Sequence, residues 1–593
     1  MKFTAASLLL GPVSLAAATK HPHLRQGNGL AIAEAAEAAV EAAAATAAAV
    51  AASNCYGISS EEQCKTTVDT DSNTSCVWCE CAAVPPVCVS EEESQSLPPG
   101  VFDCASYSEA NPDKDEDENE NEDDEKVYDF GLESGAVLQL RETISEASDL
   151  CDASSKSISG YMSTKGSKYD EYGDKHLFFW MFEKRGSDET DENYGEEEDG
   201  NKDGNKDDID IDTDIPFVVW LTGGPGCSST LALLTENGPC SVNADGKGTT
   251  VNPHSWTEAA HVLWLDQPAG VGFSYGDEND SGEGMVGEDA YYFFQAFFQA
   301  HPEYASNPLY IIGESYGGHY VPAISHRIWQ GNQKLCENCI PLNYSGLAIG
   351  NGLTAPEEQY PWYPEMVWNN SHGIKVVDEG LYNAMKEAVP LCTKLIHECD
   401  QGDGAVNSFA CQAAFVTCNL GLTSPYQATG LNPYDIRKKC EVPPLCYDFS
   451  NVKDWLNLVS TKQALGVDTT HSHRWEACNF GINAKFHTDW MKDFSGYVRD
   501  LLEAGFPALI YAGDVDFICN YLGNQAWTKD LDWSHKADFE TAGTHDWGNG
   551  AGLARTSHGF TFLQVYDGGH MVPADQPEVS LRMLQTLLSG GEF

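Results

Sequence analysis

Basic residues are scarce in this chain: 34 lysines and arginines stand against 90 aspartates and glutamates, a formal charge of −56 over 593 residues. No basic patch could outweigh that field, which excludes nucleic acid and anionic membrane surfaces as partners. Long apolar runs are missing too. Beyond the N-terminus no segment holds eighteen uninterrupted apolar residues, so no membrane span is expected. The glycine-rich stretch Thr222–Ser229 lacks the lysine of a phosphate-binding loop, which argues against nucleotide. What is not lacking is material for a core: 42% of the residues are hydrophobic, so disorder throughout is excluded.

Much of the acidic charge is segregated into two runs, 109–126 and 188–214, that read as solvated linker or loop. Twenty cysteines point to an oxidising compartment, and Met1-Lys2 followed by an apolar stretch ending in small residues reads as a secretory signal. The secretory pathway is therefore expected, with a vacuole or lysosome or secretion as the destination. We divide the chain into a signal peptide (1–18), an alanine-rich spacer (19–52), a Cys-rich module or pro-region (53–104), an acidic linker (105–126) and a large catalytic domain (127–593). The Cys-rich part, with Cys76, Trp78 and Cys79 at its centre, resembles plexin–semaphorin–integrin-type disulfide modules; a disulfide-stapled pro-region is the other reading.

From about Val127 aromatic and β-branched runs alternate with helical patterns. Strands are expected at 176–184, 216–222, 261–265, 308–312, 344–349, 507–512 and 560–566, and a helix at 288–299. That alternation predicts an α/β fold with a mostly parallel central sheet flanked by helices. The stretch at about 354–480 breaks the rhythm with seven cysteines and reads as a disulfide-rich cap insertion.

Gly313-Glu314-Ser315-Tyr316-Gly317 follows the apolar run Leu309–Ile312 directly. A strand entering G-x-S-x-G and leaving as a helix, here 316–329 with Pro322 inside it, is the nucleophile elbow of an α/β-hydrolase. Such an enzyme needs an acid and then a histidine further along the chain. The 507–512 strand ends in Gly513-Asp514-Val515-Asp516, and Gly568-Gly569-His570 follows the last strand. His570 would accept the Ser315 proton while one of the two aspartates orients the ring; spacing leaves Asp514 and Asp516 open. The loop Thr222-Gly223-Gly224 could supply one oxyanion N–H from Gly224, with Tyr316 N–H as the other.

These segments resemble the serine carboxypeptidase family, its carboxypeptidase Y-like branch in particular. The resemblance runs from about residue 150 to 593 through Trp220–Ser229, Asp266–Tyr275, Gly313–Pro322, Ile349–Thr354, Pro433–Cys440, Cys478–Asn483, Tyr511–Asn524 and Gly568–Pro573. It implies an α/β-hydrolase fold and Asp516 as the acid. It also implies a site for the substrate's C-terminal carboxylate made by Glu236, Glu314 and the positions of Thr222 and Gly223, with Trp490 and Met571 shaping the substrate pocket. Thr222 departs from the family, which carries asparagine there, and Gly317 stands where alanine is usual. A pro-segment is commonly removed in the family, so the mature enzyme would begin between the acidic linker and about Ser157.

The resemblance further implies disulfides Cys227–Cys478, Cys392–Cys418, Cys399–Cys411 and Cys440–Cys446, and a free thiol at Cys519 near the site. Cys336 and Cys339 lie outside that pattern and can pair locally; Cys151 is set against Cys240 with no motif behind the choice. Glycosylation sequons fall at Asn73, Asn279, Asn343 and Asn369. The run from Asp199 to Asp210 fits part of a calcium loop, but Lys206 occupies an apolar position and the solvated loop is preferred, so neither metal nor cofactor is expected. The activity expected is removal of C-terminal amino acids from peptides at acidic pH through an acyl-enzyme on Ser315. An acyltransferase with the same triad is the alternative. A catalytically inert binding protein and a lipase or esterase fit less well.

Overall fold

The computed structural model describes residues 77–81, 87–89, 102–104, 126–129, 137–143, 150–152, 154–165, 174–187, 214–400, 404–471 and 474–593. The chain divides into two units, Met1–Asn121 and Glu122–Phe593. In the first, Val77–Cys81 pairs antiparallel with both Val87–Val89 and Phe102–Cys104, placing Cys79 opposite Cys104 in backbone register. The signal peptide, the alanine-rich spacer, nearly all of the acidic linker, Asn73 and the calcium-like run lie outside the described residues.

The second unit is built on one sheet of thirteen strands: β1 (Lys126–Asp129), β2 (Val137–Thr143), β3 (Ser157–Lys165), β4 (Asp174–Phe182), β5 (Phe217–Thr222), β6 (His261–Leu265), β7 (Tyr275–Gly276), β8 (Leu309–Glu314), β9 (Tyr344–Gly350), β10 (Ala508–Gly513), β11 (His545–Trp547), β12 (Gly552–Ser557) and β13 (Phe560–Val565). The spatial order is β11-β12-β13-β10-β9-β8-β5-β6-β4-β3-β2-β1, with β7 on β4. Six central strands, β13-β10-β9-β8-β5-β6, are mutually parallel, and antiparallel strands extend both edges.

Along each central strand, alternate side chains enter separate cores. Phe217, Val219 and Leu221 face one, and Val218 and Trp220 the other; Ile311 and Ile312 divide in the same way. With both faces covered, the strands are nearly pure apolar runs. The first core is filled by α2 (Glu283–Ala300) and α3 (Gly317–Gln333), the second by α1 (Ser229–Thr235) and the C-terminal α6 (Pro577–Leu588). Phe293 and Phe297 are fully buried, each contributing about 1.5–3 kcal/mol.

Each of the seven expected strands overlaps an observed one, with no expected end overshooting by more than two residues. The edge strands β1, β2, β3, β11 and β12 were not anticipated, because sequences such as Val-Leu-Gln-Leu-Arg-Glu-Thr in β2 mix polar with apolar residues. Between β9 and β10 the chain leaves the sheet and forms the antiparallel helices α4 (Glu379–Asp400) and α5 (Gly404–Cys418), cross-linked by Cys392–Cys418 and Cys399–Cys411. Among the described residues, no helix is long and apolar enough to cross a membrane.

Candidate active site

Ser315 sits between β8 and α3 with φ 65°, a left-handed conformation that costs a non-glycine residue about 1–3 kcal/mol. Two backbone bonds hold it there: Ser315 N–H donates to Gly350 O (3.0 Å), and Leu353 N–H donates to Ser315 O (3.0 Å). The elbow also demands close approach by its neighbour on β5. A Cβ at Gly223 would collide with the Tyr316 amide nitrogen and lie 2.8 Å from Ser315 Cβ.

His570 and Asp516 meet above the C-terminal ends of β13 and β10. His570 Nδ1 is 2.9 Å from Asp516 Oδ2, and both residues are buried. Asp516 also accepts from Asn351 Nδ2 (2.9 Å) and from the amides of Ile518 and Cys519 (both 3.1 Å). With Nδ1 facing an Asp516 oxygen, the ring proton belongs on Nδ1 and Nε2 carries the lone pair. Asp514 is engaged elsewhere, by Ser371 Oγ, His372 Nε2 and Asp567 N–H at 2.9–3.0 Å.

Asn351 is the residue that sequence reasoning passed over. Fully buried at φ 39°, it donates to Asp516 and accepts from Gly513 N–H (3.0 Å), while the preceding residue, Gly350, receives the Ser315 amide. Its only sequence signal is its place in Ile349–Thr354, directly after a strand.

The glycine loop after β5 adopts φ 113° at Gly224. Among the described residues, neither Gly224 N–H nor Tyr316 N–H donates to a backbone carbonyl. The loop is anchored from the far side: Cys227 is disulfide-bonded to Cys478, Asn479 N–H donates to Gly226 O, and Asn483 Nδ2 donates to the carbonyls of Gly224 and Pro225. The Tyr316 ring is clamped between the His319 ring, stacked at 4.4 Å, and Asp489, which accepts its hydroxyl at 3.2 Å.

Directly before Ser315, Glu314 at the end of β8 stands in register with Thr222 at the end of β5. It is hydrogen-bonded to Glu236, which caps the C-terminus of α1. Both carboxyls are buried, and each keeps one oxygen without a protein partner. Burial pushes Glu236 up to about 8, with Asp575 adding to the rise while the bond from Glu314 opposes it. Burial also pushes Glu314 well above the carboxylate range, reinforced by Glu236, Asp516 and Asp575. The pair is therefore protonated at acidic and neutral pH and able to donate. Thr222 Oγ1 accepts the Trp220 indole N–H (2.9 Å), which leaves its own proton available. Tyr511, whose buried hydroxyl is also without a partner, lies in the field of the same pair.

Trp490 reaches the site through Tyr316, ring centroids 5.3 Å apart, and is backed by Phe415 of α5 at 5.5 Å and by Tyr360, whose hydroxyl takes the indole N–H. Met571 is next in the chain to His570 and half-buried. Cys519 is unpaired, and burial pushes its thiol well up. Among the described residues the remaining disulfides are Cys440–Cys446, Cys336–Cys339 and Cys151–Cys240. Disulfides in this number belong to the secretory pathway. Asn343 and Asn369 are exposed and Asn279 is half-buried.

Comparison with known proteins gives the arrangement its context. The family model described as serine carboxypeptidase matches residues 204–590. The chain is 40% identical to carboxypeptidase Y homolog A of Trichophyton equinum over 451 residues, covering 74% of this chain and 75% of that protein. It is 40% identical to carboxypeptidase Y of Candida albicans over 441 residues, 73% of each. The fold matches the crystal structure of Kex1, a prohormone-processing carboxypeptidase from Saccharomyces cerevisiae, with TM-score 0.62 and 25% identity over 75% of this chain and 94% of that one. The chain belongs to the serine carboxypeptidase family.

Proposed function

We propose that the chain removes C-terminal residues from peptides, with Ser315 as nucleophile, His570 as general base and then general acid, and Asp516 as the group that orients the ring. His570 Nε2 takes the Ser315 proton as Oγ attacks the last peptide carbonyl. The oxyanion is received by the amides of Gly224 and Tyr316. Nε2 then protonates the leaving amine, the free C-terminal amino acid departs, and water repeats the cycle on the acyl-enzyme.

The observation that carries the reading is the Glu236–Glu314 pair beside the elbow, two buried carboxyls with no cation in contact. Protonated, they hydrogen-bond a substrate carboxylate without charge repulsion, and the free hydroxyl proton of Thr222 adds a donor. Loss of one proton leaves a buried negative charge that repels the substrate's own. The acidic lumen of a vacuole or lysosome, or an acidic medium outside the cell, keeps the pair protonated.

A blocked dipeptide tests the reading. Release of the free C-terminal amino acid at pH 5, lost in Ser315→Ala, is expected. Cleavage of esters but not of the dipeptide, or transfer of the blocked acyl group to an added alcohol in preference to water, would overturn it.

A further inference from the structure

Among the described residues, one group of imidazole and carboxylate side chains away from the catalytic centre brings its donor atoms within 4.8 Å of one another: His535, Asp538 and His558. They come from different segments. His535 precedes the short helix Lys536–Thr541, Asp538 lies in that helix, and His558 lies in the turn between β12 and β13. The helix is fixed to the hairpin by Phe539, stacked on Phe560 with ring centroids 4.7 Å apart.

We propose that these three side chains form a divalent transition-metal site of the zinc type. Both imidazoles converge on a single carboxylate oxygen: His558 Nε2 is 3.0 Å and His535 Nδ1 3.4 Å from Asp538 Oδ2. Ligand atoms about 2.0–2.2 Å from one zinc ion stand roughly 3–3.5 Å apart, so both separations suit a shared ion. The rings are stacked, centroids 3.7 Å apart and planes 16° from parallel. All three side chains are substantially exposed, so the rings can swing apart to admit an ion and solvent can fill its remaining positions.

The turn supplies an independent reason to look at His558. His558 and Gly559 have φ 49° and 79°, the positive pair of a two-residue hairpin turn, for which asparagine, aspartate or glycine is the ordinary first residue. Here a histidine occupies that position and aims its Nε2 at Asp538. Two nitrogen donors and one carboxylate select zinc-like ions over calcium, which takes oxygen. The surrounding charge favours a cation: Asp530, Asp532 and Glu540 act on neighbouring Lys536, and Glu503 accepts from the amide and hydroxyl of Ser534, the residue before His535. Lys536 itself is tied to Asp530 at 2.8 Å. An ion here would join the short helix to the hairpin at one edge of the sheet, raising stability without entering the catalytic reaction.

Calorimetric titration of the intact protein with zinc chloride, in excess calcium to occupy simple carboxylate sites, tests the proposal. One saturable site is expected in the wild type. It should weaken about a hundredfold or vanish in Asp538→Ala and in His558→Asn, the latter a residue the turn accepts readily. Zinc-free melting temperature and esterase activity should match the wild type in both variants, showing that the fold is intact. Absence of a saturable site in the wild type, or an unchanged isotherm in His558→Asn, would overturn the assignment.

Discussion

Two groups of buried acids flank the same sheet and have opposite characters. Asp280 and Asp289 close on Lys175, fully buried on β4, at 2.8 and 2.7 Å. Burial lowers the lysine and raises Asp280, but the direct contacts with Asp289 and Asp280 hold Lys175 above its ordinary range, and we read the trio as ionised. Glu236 and Glu314 are as deeply buried, touch no cation and keep their protons. The presence or absence of one ammonium group sets the two clusters apart: the first is held by ion pairs, and the second, on the proposed function, is free to receive a substrate carboxylate. The trio directs its charges at one another through two ion pairs, whereas a neutral acid pair with unpartnered oxygens has hydrogen bonds to offer.

The comparison can be broken at several points, and the largest effect lies in a third buried acid. Asp516→Asn should lower kcat about ten-thousandfold on esters and peptides alike, because the His570 tautomer is lost; a loss confined to peptides would contradict its role. Lys175→Met should cost about 3–5 kcal/mol of stability by stranding two carboxylates, measured by denaturant unfolding, with the folded fraction still cleaving esters. If that variant were as stable as the wild type, Asp280 and Asp289 would not be ionised in the native protein.

Glu314→Gln should reduce kcat/KM for peptides about ten- to a hundredfold while leaving small esters within a few-fold, since only peptides present a carboxylate. The pair also predicts a pH limb: peptide kcat/KM should fall as pH rises through about 8, where Glu236 ionises, and the ester rate should lack that limb. Between the ordinary carboxylate range and that point the folded pair holds protons that the unfolded chain has released. Stability should therefore decline as pH rises across that window, and decline less in a Glu236→Gln, Glu314→Gln double variant. The smallest effect concerns Thr222: Thr222→Val should weaken peptide KM several-fold with ester kinetics unchanged, the worth of one neutral hydrogen bond.

The sheet and the order of Ser315, Asp516 and His570 were legible because central strands buried on both faces are apolar throughout and because an elbow, an acid and a histidine at strand ends obey a fixed order. Glu314 and Glu236 were legible through resemblance, but their protonation was not, since it depends on burial and on the absence of a cation, neither visible as a motif. Asn351 was missed because its action depends on where β9 places it between Ser315 and Asp516. Lys175 was missed for a similar reason: its partners lie 105 and 114 residues away. The edge strands escaped because their sequences mix polar with apolar residues. His535 and His558 give no signal in a linear reading, since a helix and a hairpin have to fold before they meet.

Asn351 makes the separation between Ser315 and Asp516 a local quantity. The strands that carry Ser315 and Asp516 are not adjacent: β9 lies between them, and Asn351 directly follows it. Its neighbour's carbonyl holds the Ser315 amide, and its own amide group spans to Asp516 and Gly513. One short side chain spans that gap, so hydrogen bonds across β9 set the reach from Ser315 to Asp516 together with the spacing of the strands.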